Sequence, residues 1–419
     1  MNRILQNLIR LSIWLNAPRV LFYIAVFHLR KEKLAPNRIN ILALNRAIFA
    51  EDVNVLSNLT NYNFIRLNKL FFTEILKHYL PDALLSHKEF YEIVSKLPRS
   101  DYSQYQSFVQ KFLFLLIERY NINCVLTANF NYSWQQEVFS AAKSYGVKRV
   151  VLFKEGINPV MTKDATESAH SKLLSFYKNS FLNVDLILVY NKRMKAAFEE
   201  NFDLSAFDIA VEVIGIPRLA FLHEETASPN SGIVFFSFDI QEKFRHLGLS
   251  PKILQDLETE VNFFCDAFTD FVIKHPNIPV TIKTKSNQKF LDVAKSRFEK
   301  LLQVSNVRFT NEGSSLELLA NNRVVIGFNS TTLVEALIAN RRVISFRLQD
   351  SVVQCMFSGS DFYDEICIVP EKLADALKKS ISNRKVDKRN VTDKWLEDRV
   401  GYLGFEVLRR FDRAMLEIL

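Results

Sequence analysis

Short apolar runs alternate with longer stretches of helical periodicity along most of this chain. That alternation predicts βαβ units built on parallel sheets. In the first half the predicted strands are 38–44, 64–68, 124–128, 149–153, 185–190 and 211–214, with helical patterns at 47–59, 105–120 and 133–145. In the second half strands at 233–238, 279–283, 307–310, 324–328 and 342–346 alternate with helical patterns at 254–274, 289–302, 315–320 and 332–340. The best linker is 224–232 (EETASPNSG), acidic and then rich in Ser, Pro, Asn and Gly. The expected organisation is a basic amphipathic segment 1–38, a Rossmann-like domain 39–222, a second one 232–390, and a C-terminal helix 391–419. The fold class is therefore α/β, two doubly wound domains facing a cleft, with a C-terminal helical tail. In open α/β sheets ligands sit beyond the carboxyl ends of the strands, so sites are sought just after strands.

Length and composition agree with this reading. A chain of 419 residues holds two or three domains at about 150 residues each. Hydrophobic residues at 48% and charged residues at 24% exclude a disordered chain. Only 10 residues are Gly, well under the usual share of about 7%. Neither G-x-G-x-x-G nor G-x-x-x-x-G-K-[ST] occurs, so a glycine-rich phosphate loop is not expected.

The net charge of +8 invites a nucleic-acid reading, but its location opposes one. Residues 1–38 hold seven basic residues and one acid, a net +6 of that total. The remainder is nearly balanced, and no nucleic-acid partner is expected. The same segment is rich in Ile, Leu, Phe and Trp, yet its uncharged stretches reach only about ten residues. That falls short of the ~20 needed to span a bilayer. Two readings stand: the segment lies on an anionic membrane face, or it packs on its own protein. The four cysteines (Cys124, Cys265, Cys355 and Cys367) are widely spaced with no C-x-x-C, so neither a disulfide scaffold nor structural zinc is expected. A reducing cytoplasm fits this usage.

Candidate chemistry follows the strands. Strand 149–153 runs into Lys154-Glu155-Gly156, where a carboxylate at a strand end can take a proton from a hydroxyl. A turn glutamate paired with Lys154 is the plainer alternative. Strand 211–214 leads to Gly215-Ile216-Pro217-Arg218, where Arg218 is either a planar anion fork or the partner of a nearby carboxylate. Strand 279–283 ends in Lys283-Thr284-Lys285, two cations that suit a phosphate or form a solvated charge run. The most specific segment, 324–346, places Asn329-Ser330-Thr331-Thr332 at the opening of a helix. Thr332-x-x-Glu335 there fits a capping box. Free backbone N–H groups and neighbouring hydroxyls at such a helix start make an anion site without glycine.

The succession K-E-G, G-I-P-R and G-F-N-S-T-T-x-x-E-A-L before R-V-I-S-F resembles bacterial surface-polysaccharide glycosyltransferases of the GT-B fold. It looks most like the capsule, Kdo-transferase and sialyltransferase-like group. The resemblance implies a general base for Glu155, with Gly156 as its turn and Lys154 standing where the group has a first acid. It implies a nucleotide-phosphate contact for Ser330 and Thr331, with Thr332 beside them. The group's His-Pro motif after a C-domain strand is replaced here by Lys283-Thr284-Lys285, while His275-Pro276 precedes the strand as a helix-ending turn. No H-e-x-x-h-type zinc motif, no G-x-S-x-G and no Asp-x-Asp occurs, so metal-independent transfer without a cofactor is expected. Expected partners are a nucleotide-sugar donor, with CMP-linked sugars favoured, a glycan or lipid-linked acceptor, and a membrane surface. A sugar-nucleotide epimerase, a polyol-phosphate transferase and an inactive scaffold share this layout as alternatives.

Overall fold

Two six-stranded parallel sheets organise the chain, one in each of two compact units. The computed structural model describes residues 3–29, 34–45, 47–79, 99–154, 171, 174, 183–222, 230–240, 244, 249–347, 353, 355–382 and 394–419. The first unit takes the described residues up to Lys154, those from 171 to 220, and Asp398–Leu419; the second takes Phe221–Glu397.

The first unit opens with helices α1 (Arg3–Trp14) and α2 (Pro18–Leu29). There follow β1 (Ile39–Asn45), α3 (Ala47–Leu59), β2 (Tyr62–Asn68), α4 (Leu70–Tyr79), α5 (Arg99–Tyr120), β3 (Ile122–Thr127), α6 (Ser133–Ser144), β4 (Lys148–Phe153), β5 (Leu186–Val189), α7 (Lys192–Asn201) and β6 (Ala210–Val213). The strand order is β2-β1-β3-β4-β5-β6. The sheet grows one way from β1 to β2 and then the other way from β3, so its direction reverses between β1 and β3. The middle strands are apolar on both faces; every residue of β5 is buried, as parallel strands covered by helices on both sides require. Each Val or Leu so buried contributes about 1.5–3 kcal/mol.

The second unit contains β7 (Asn230–Phe236), α8 (Pro251–Lys274), β8 (Val280–Lys283), α9 (Gln288–Arg297), β9 (Val307–Thr310), α10 (Ser315–Asn321), β10 (Asn322–Gly327), α11 (Thr331–Ile338), β11 (Arg342–Phe346), α12 (Tyr363–Ile366), β12 (Cys367–Ile368) and α13 (Leu373–Ser382). Its strand order, β12-β11-β10-β7-β8-β9, is the order of dinucleotide-binding sheets read from one edge, with the reversal between β7 and β10. All pairings are parallel. Phenylalanines fill the core: Phe235, Phe264, Phe268, Phe298, Phe328 and Phe346 are all buried, with the Phe264 and Phe346 rings 3.9 Å apart.

α14 (Lys394–Val400) leads to α15 (Phe405–Ile418), which belongs to the first unit. Phe411 of α15 is fully buried, with its ring 5.7 Å from that of Tyr62 and 6.4 Å from that of Phe64. Two glycines permit this return. Gly215 has φ +83° and a Cβ there would collide with the backbone of Tyr402; Gly401 has φ +77° and faces the Tyr190 carbonyl in the same way. The glycine of the G-I-P-R segment is thus explained by close backbone packing.

The N-terminal segment is two helices that each bury one side. Ile9 and Ile13 of α1, and Leu21, Ala25 and Leu29 of α2, enter the core of the first unit. Arg10 donates to the buried Glu74 of α4 at 2.7 Å, and Gln6 donates to the same carboxylate at 3.1 Å. Among the described residues no helix is long and apolar enough to cross a membrane.

Candidate functional site

β10 ends at Gly327, directly beside the end of β7, where the second sheet reverses direction. The next residue, Phe328, is buried among Phe238, Phe244 and Phe346, with ring separations of 5.7, 5.9 and 5.6 Å. This clamp fixes where the following turn begins. Asn329 then takes φ +42°, a left-handed conformation that Asn tolerates better than most residues. Its Oδ1 accepts the Met356 N–H at 2.8 Å, tying the 355–362 segment to the turn.

Ser330 is the N-cap residue of α11, and Thr331 and Thr332 are its first two helical residues. All three are half-buried. The expected capping box does not form. The N-cap is Ser330, two residues before the Thr332 that the Thr332-x-x-Glu335 spacing requires, which puts Leu333 rather than Glu335 at the third helical position. Ser330 Oγ lies 2.5 Å from Thr332 Oγ1, and the Ser330 side chain makes no cap bond to the first turn. Glu335 is buried within α11. The first turn of a helix carries N–H groups and the positive end of the helix dipole, here toward the switch point.

Lys283 closes β8, next to β7. It is 7% exposed, and its Nζ donates to the Thr284 carbonyl at 2.7 Å. No carboxylate pairs with it among the described residues. Burial holds its ammonium below the usual lysine value. A buried cation bonded to a neutral carbonyl is costly unless an anion joins it. Lys285 behaves differently: it is exposed, with its ammonium 5.4 Å from the centre of the Phe290 ring. The second unit thus brings Ser330, Thr331, Thr332 and Lys283 to the carboxyl ends of the central strands. His275 caps the end of α8, its Nδ1 2.7 Å from the Phe271 carbonyl oxygen and its N–H donating to the Val272 carbonyl.

In the first unit the expected base, Glu155, and its turn residue Gly156 lie outside the described residues. Lys154 follows β4 directly, and its N–H donates to the Ala128 carbonyl at 3.4 Å. Arg218 does not present an open fork. Its guanidinium, 4% exposed, donates to Asp52 Oδ2 at 3.1 Å and to the Tyr190 hydroxyl at 3.3 Å. Its backbone N–H also reaches Asp52 at 3.0 Å. Asp52, fully buried, comes from α3, 166 residues away in sequence, so nothing local in the chain announces the pair. Sequence reasoning also passed over Asn129 and Asn131. Both follow β3 at the first sheet's reversal, both are buried, and the Oδ1 of each has no hydrogen-bond partner among the described residues. Their position straight after a strand was the available signal. Among the described residues no group of His, Cys, Asp and Glu is placed to hold a metal ion.

No family model matches this chain. No curated protein matches it either. Solved structures do. A Listeria monocytogenes protein named for UDP-N-acetylglucosamine 2-epimerase is similar at a TM-score of 0.52 and 12% identity, over 91% of this chain and 98% of that one. The UDP-GlcNAc 2-epimerase of Neisseria meningitidis gives 0.48 and 12% over 91% and 100%, and a glycosyltransferase of Rickettsia africae gives 0.46 and 14% over 91% and 99%. The first likeness, together with the two strand orders, establishes the fold: a two-unit α/β chain of the GT-B type with C-terminal helices.

Proposed function

We propose that the chain is a nucleotide-sugar enzyme whose second unit holds the nucleotide phosphates at the β7/β10 switch point. The supporting observation is the buried ammonium of Lys283, which no carboxylate among the described residues pairs with, in the same sheet-end layer as the hydroxyl-rich start of α11, whose N-cap side chain makes no cap bond. Phosphate oxygens would accept from the first amides of α11, from Ser330 and Thr331, and from Lys283, in charge-assisted bonds. Such a site stabilises a departing nucleotide phosphate. The donor supported here is a UDP-linked sugar, the substrate class for which the structurally similar Listeria protein is named. The CMP-linked Kdo or sialic donor rests on sequence resemblance alone.

Two reactions follow from this site. Epimerisation of the nucleotide-sugar needs no acceptor, and the Listeria likeness favours it. Glycosyl transfer in surface-polysaccharide synthesis would pass the acceptor hydroxyl proton to Glu155 as the sugar–phosphate bond breaks. The exposed apolar side of α1 and α2, which suits a lipid-linked acceptor, favours transfer. In both readings the protein works in the cytoplasm. Titration with UDP, CMP, GDP and CDP, followed by incubation with UDP-N-acetylglucosamine alone, separates the outcomes. Preferential UDP binding with formation of a C2 epimer supports the epimerase. UDP binding with turnover only when a lipid-linked glycan is added supports the transferase. Absence of binding to any nucleotide, or binding unchanged in Lys283→Met, overturns the site.

A further inference from the structure

Helices α1 and α2 carry two faces of similar chemistry. One enters the core through Ile9, Ile13, Leu21, Ala25 and Leu29. The other is exposed and apolar: Leu8 (46%), Leu11 (51%), Trp14 (69%), Leu15 (55%), Val20 (47%) and Tyr23 (69%). The residues at 4, 8 and 11 of α1 follow helical spacing and, with Leu15 just beyond its end, form one row. Arg3, Arg10 and Trp14 form the row beside it. Between the two helices lies a groove of about 680 Å³ lined by residues of both, Leu8, Val20 and Tyr23 among them. Residues 3–29 contain three arginines and no acidic residue. Arg10 is engaged by Glu74 with more than half of its side chain exposed, and Arg3 and Arg19 are exposed.

We infer that this face docks on a bilayer carrying anionic headgroups, with the apolar row and the groove entering the headgroup–acyl boundary and the arginines meeting phosphates. The segment is therefore both of the things its sequence allowed, a core element on one side and an interfacial helix pair on the other. Charge decides the occupant. A second copy of the chain, seated face to face, would set Arg3 and Arg19 near their own counterparts with no carboxylate on α1 or α2 to offset them. An anionic lipid surface supplies the missing charge, at about 1 kcal/mol for each arginine near it. Trp14 and Tyr23 have the apolar body and polar tip that settle at headgroup level. This inference is independent of which sugar chemistry the chain performs.

The test uses the full chain with vesicles of phosphatidylcholine containing phosphatidylglycerol, against vesicles of phosphatidylcholine alone. The chain should co-sediment with the anionic vesicles, bind the neutral ones far less, and detach as salt is raised. Arg3→Glu with Arg19→Glu should lower partitioning by at least about tenfold, and Trp14→Ser with Tyr23→Ser should lower it comparably. Because Trp134 and Trp395 are buried, at 5% and 9% exposed, anionic vesicles should blue-shift the fluorescence of Trp14. Trp14→Phe should remove that shift while binding persists, a readout that does not depend on a disruptive variant. Failure of the wild-type chain to bind anionic vesicles overturns the inference. So does binding unchanged in both double variants, or a solution dimer that the Trp14→Ser, Tyr23→Ser variant dissociates.

Discussion

Lys283 carries its charge where water is scarce, and it donates to the carbonyl of Thr284. Its native pKa lies below the usual lysine value because burial disfavours the charged form. In the pH interval between the native and the usual value the unfolded chain binds the proton more tightly, so this group contributes more to stability as pH rises through that interval. A bound phosphate reverses the imbalance, and binding should take up a proton there. Nucleotide affinity should therefore fall as pH rises through the depressed value, and calorimetry in buffers of different ionisation enthalpy would show the uptake. Lys283→Met should weaken nucleotide binding by at least about tenfold, flatten that alkaline limb, and raise the melting temperature of the nucleotide-free chain. Ser330→Ala with Thr331→Ala should cost about as much affinity, near the 1.5–3 kcal/mol of a hydrogen bond to a charged group, and leave the melting temperature nearly unchanged. Glu155→Gln should reduce transfer by orders of magnitude with nucleotide affinity intact; an unchanged rate removes it from catalysis. The strand-end positions of Lys283 and of the Ser330–Thr332 turn were legible in sequence. Arg218 was legible only as a choice between two roles, because its partner Asp52 lies far away in the chain. Asn329 was legible as part of the turn, but not its grip on Met356.

At the level of elements, the strands were easiest to read, since a parallel strand buried on both faces leaves an unbroken apolar run such as Leu186–Val189. β12, two residues long, left no such trace. Its pairing with β11 has a consequence that spacing concealed: Cys355 and Cys367 come to lie with their sulfurs 3.3 Å apart as free thiols. The N-cap of α11 was misplaced by two residues because Thr-x-x-Glu is a local pattern, whereas the clamp on Phe328 is a tertiary one. The docking of α1 turns on Glu74. Burial opposes its ionisation, but bonds from Arg10, Gln6 and Lys77 outweigh this and hold its pKa below the ordinary glutamate value. Its contribution is complete above that ordinary value and is lost as pH falls through the native one. Glu74→Gln should therefore lower stability at neutral pH and leave it nearly unaltered at the acid end, as denaturant midpoints across pH would record. Gly401→Ala should destabilise by roughly 1–3 kcal/mol, since the new methyl meets the Tyr190 carbonyl at a positive φ.

For the molecule as a whole, the alternation of runs made two Rossmann-type units readable before any coordinates. The strand orders were not readable, because which strand neighbours which is decided by long-range pairing. Those orders are what place the Ser330 turn at a reversal point. The return of α15 to the first unit was equally hidden, since an amphipathic helix does not name the surface it will cover. That return bears on how the protein is made. Tyr62 and Phe64 leave the ribosome long before Phe411, the ring that shields them. During synthesis the first unit must therefore wait, with part of its apolar interior open, until the entire second unit has been translated.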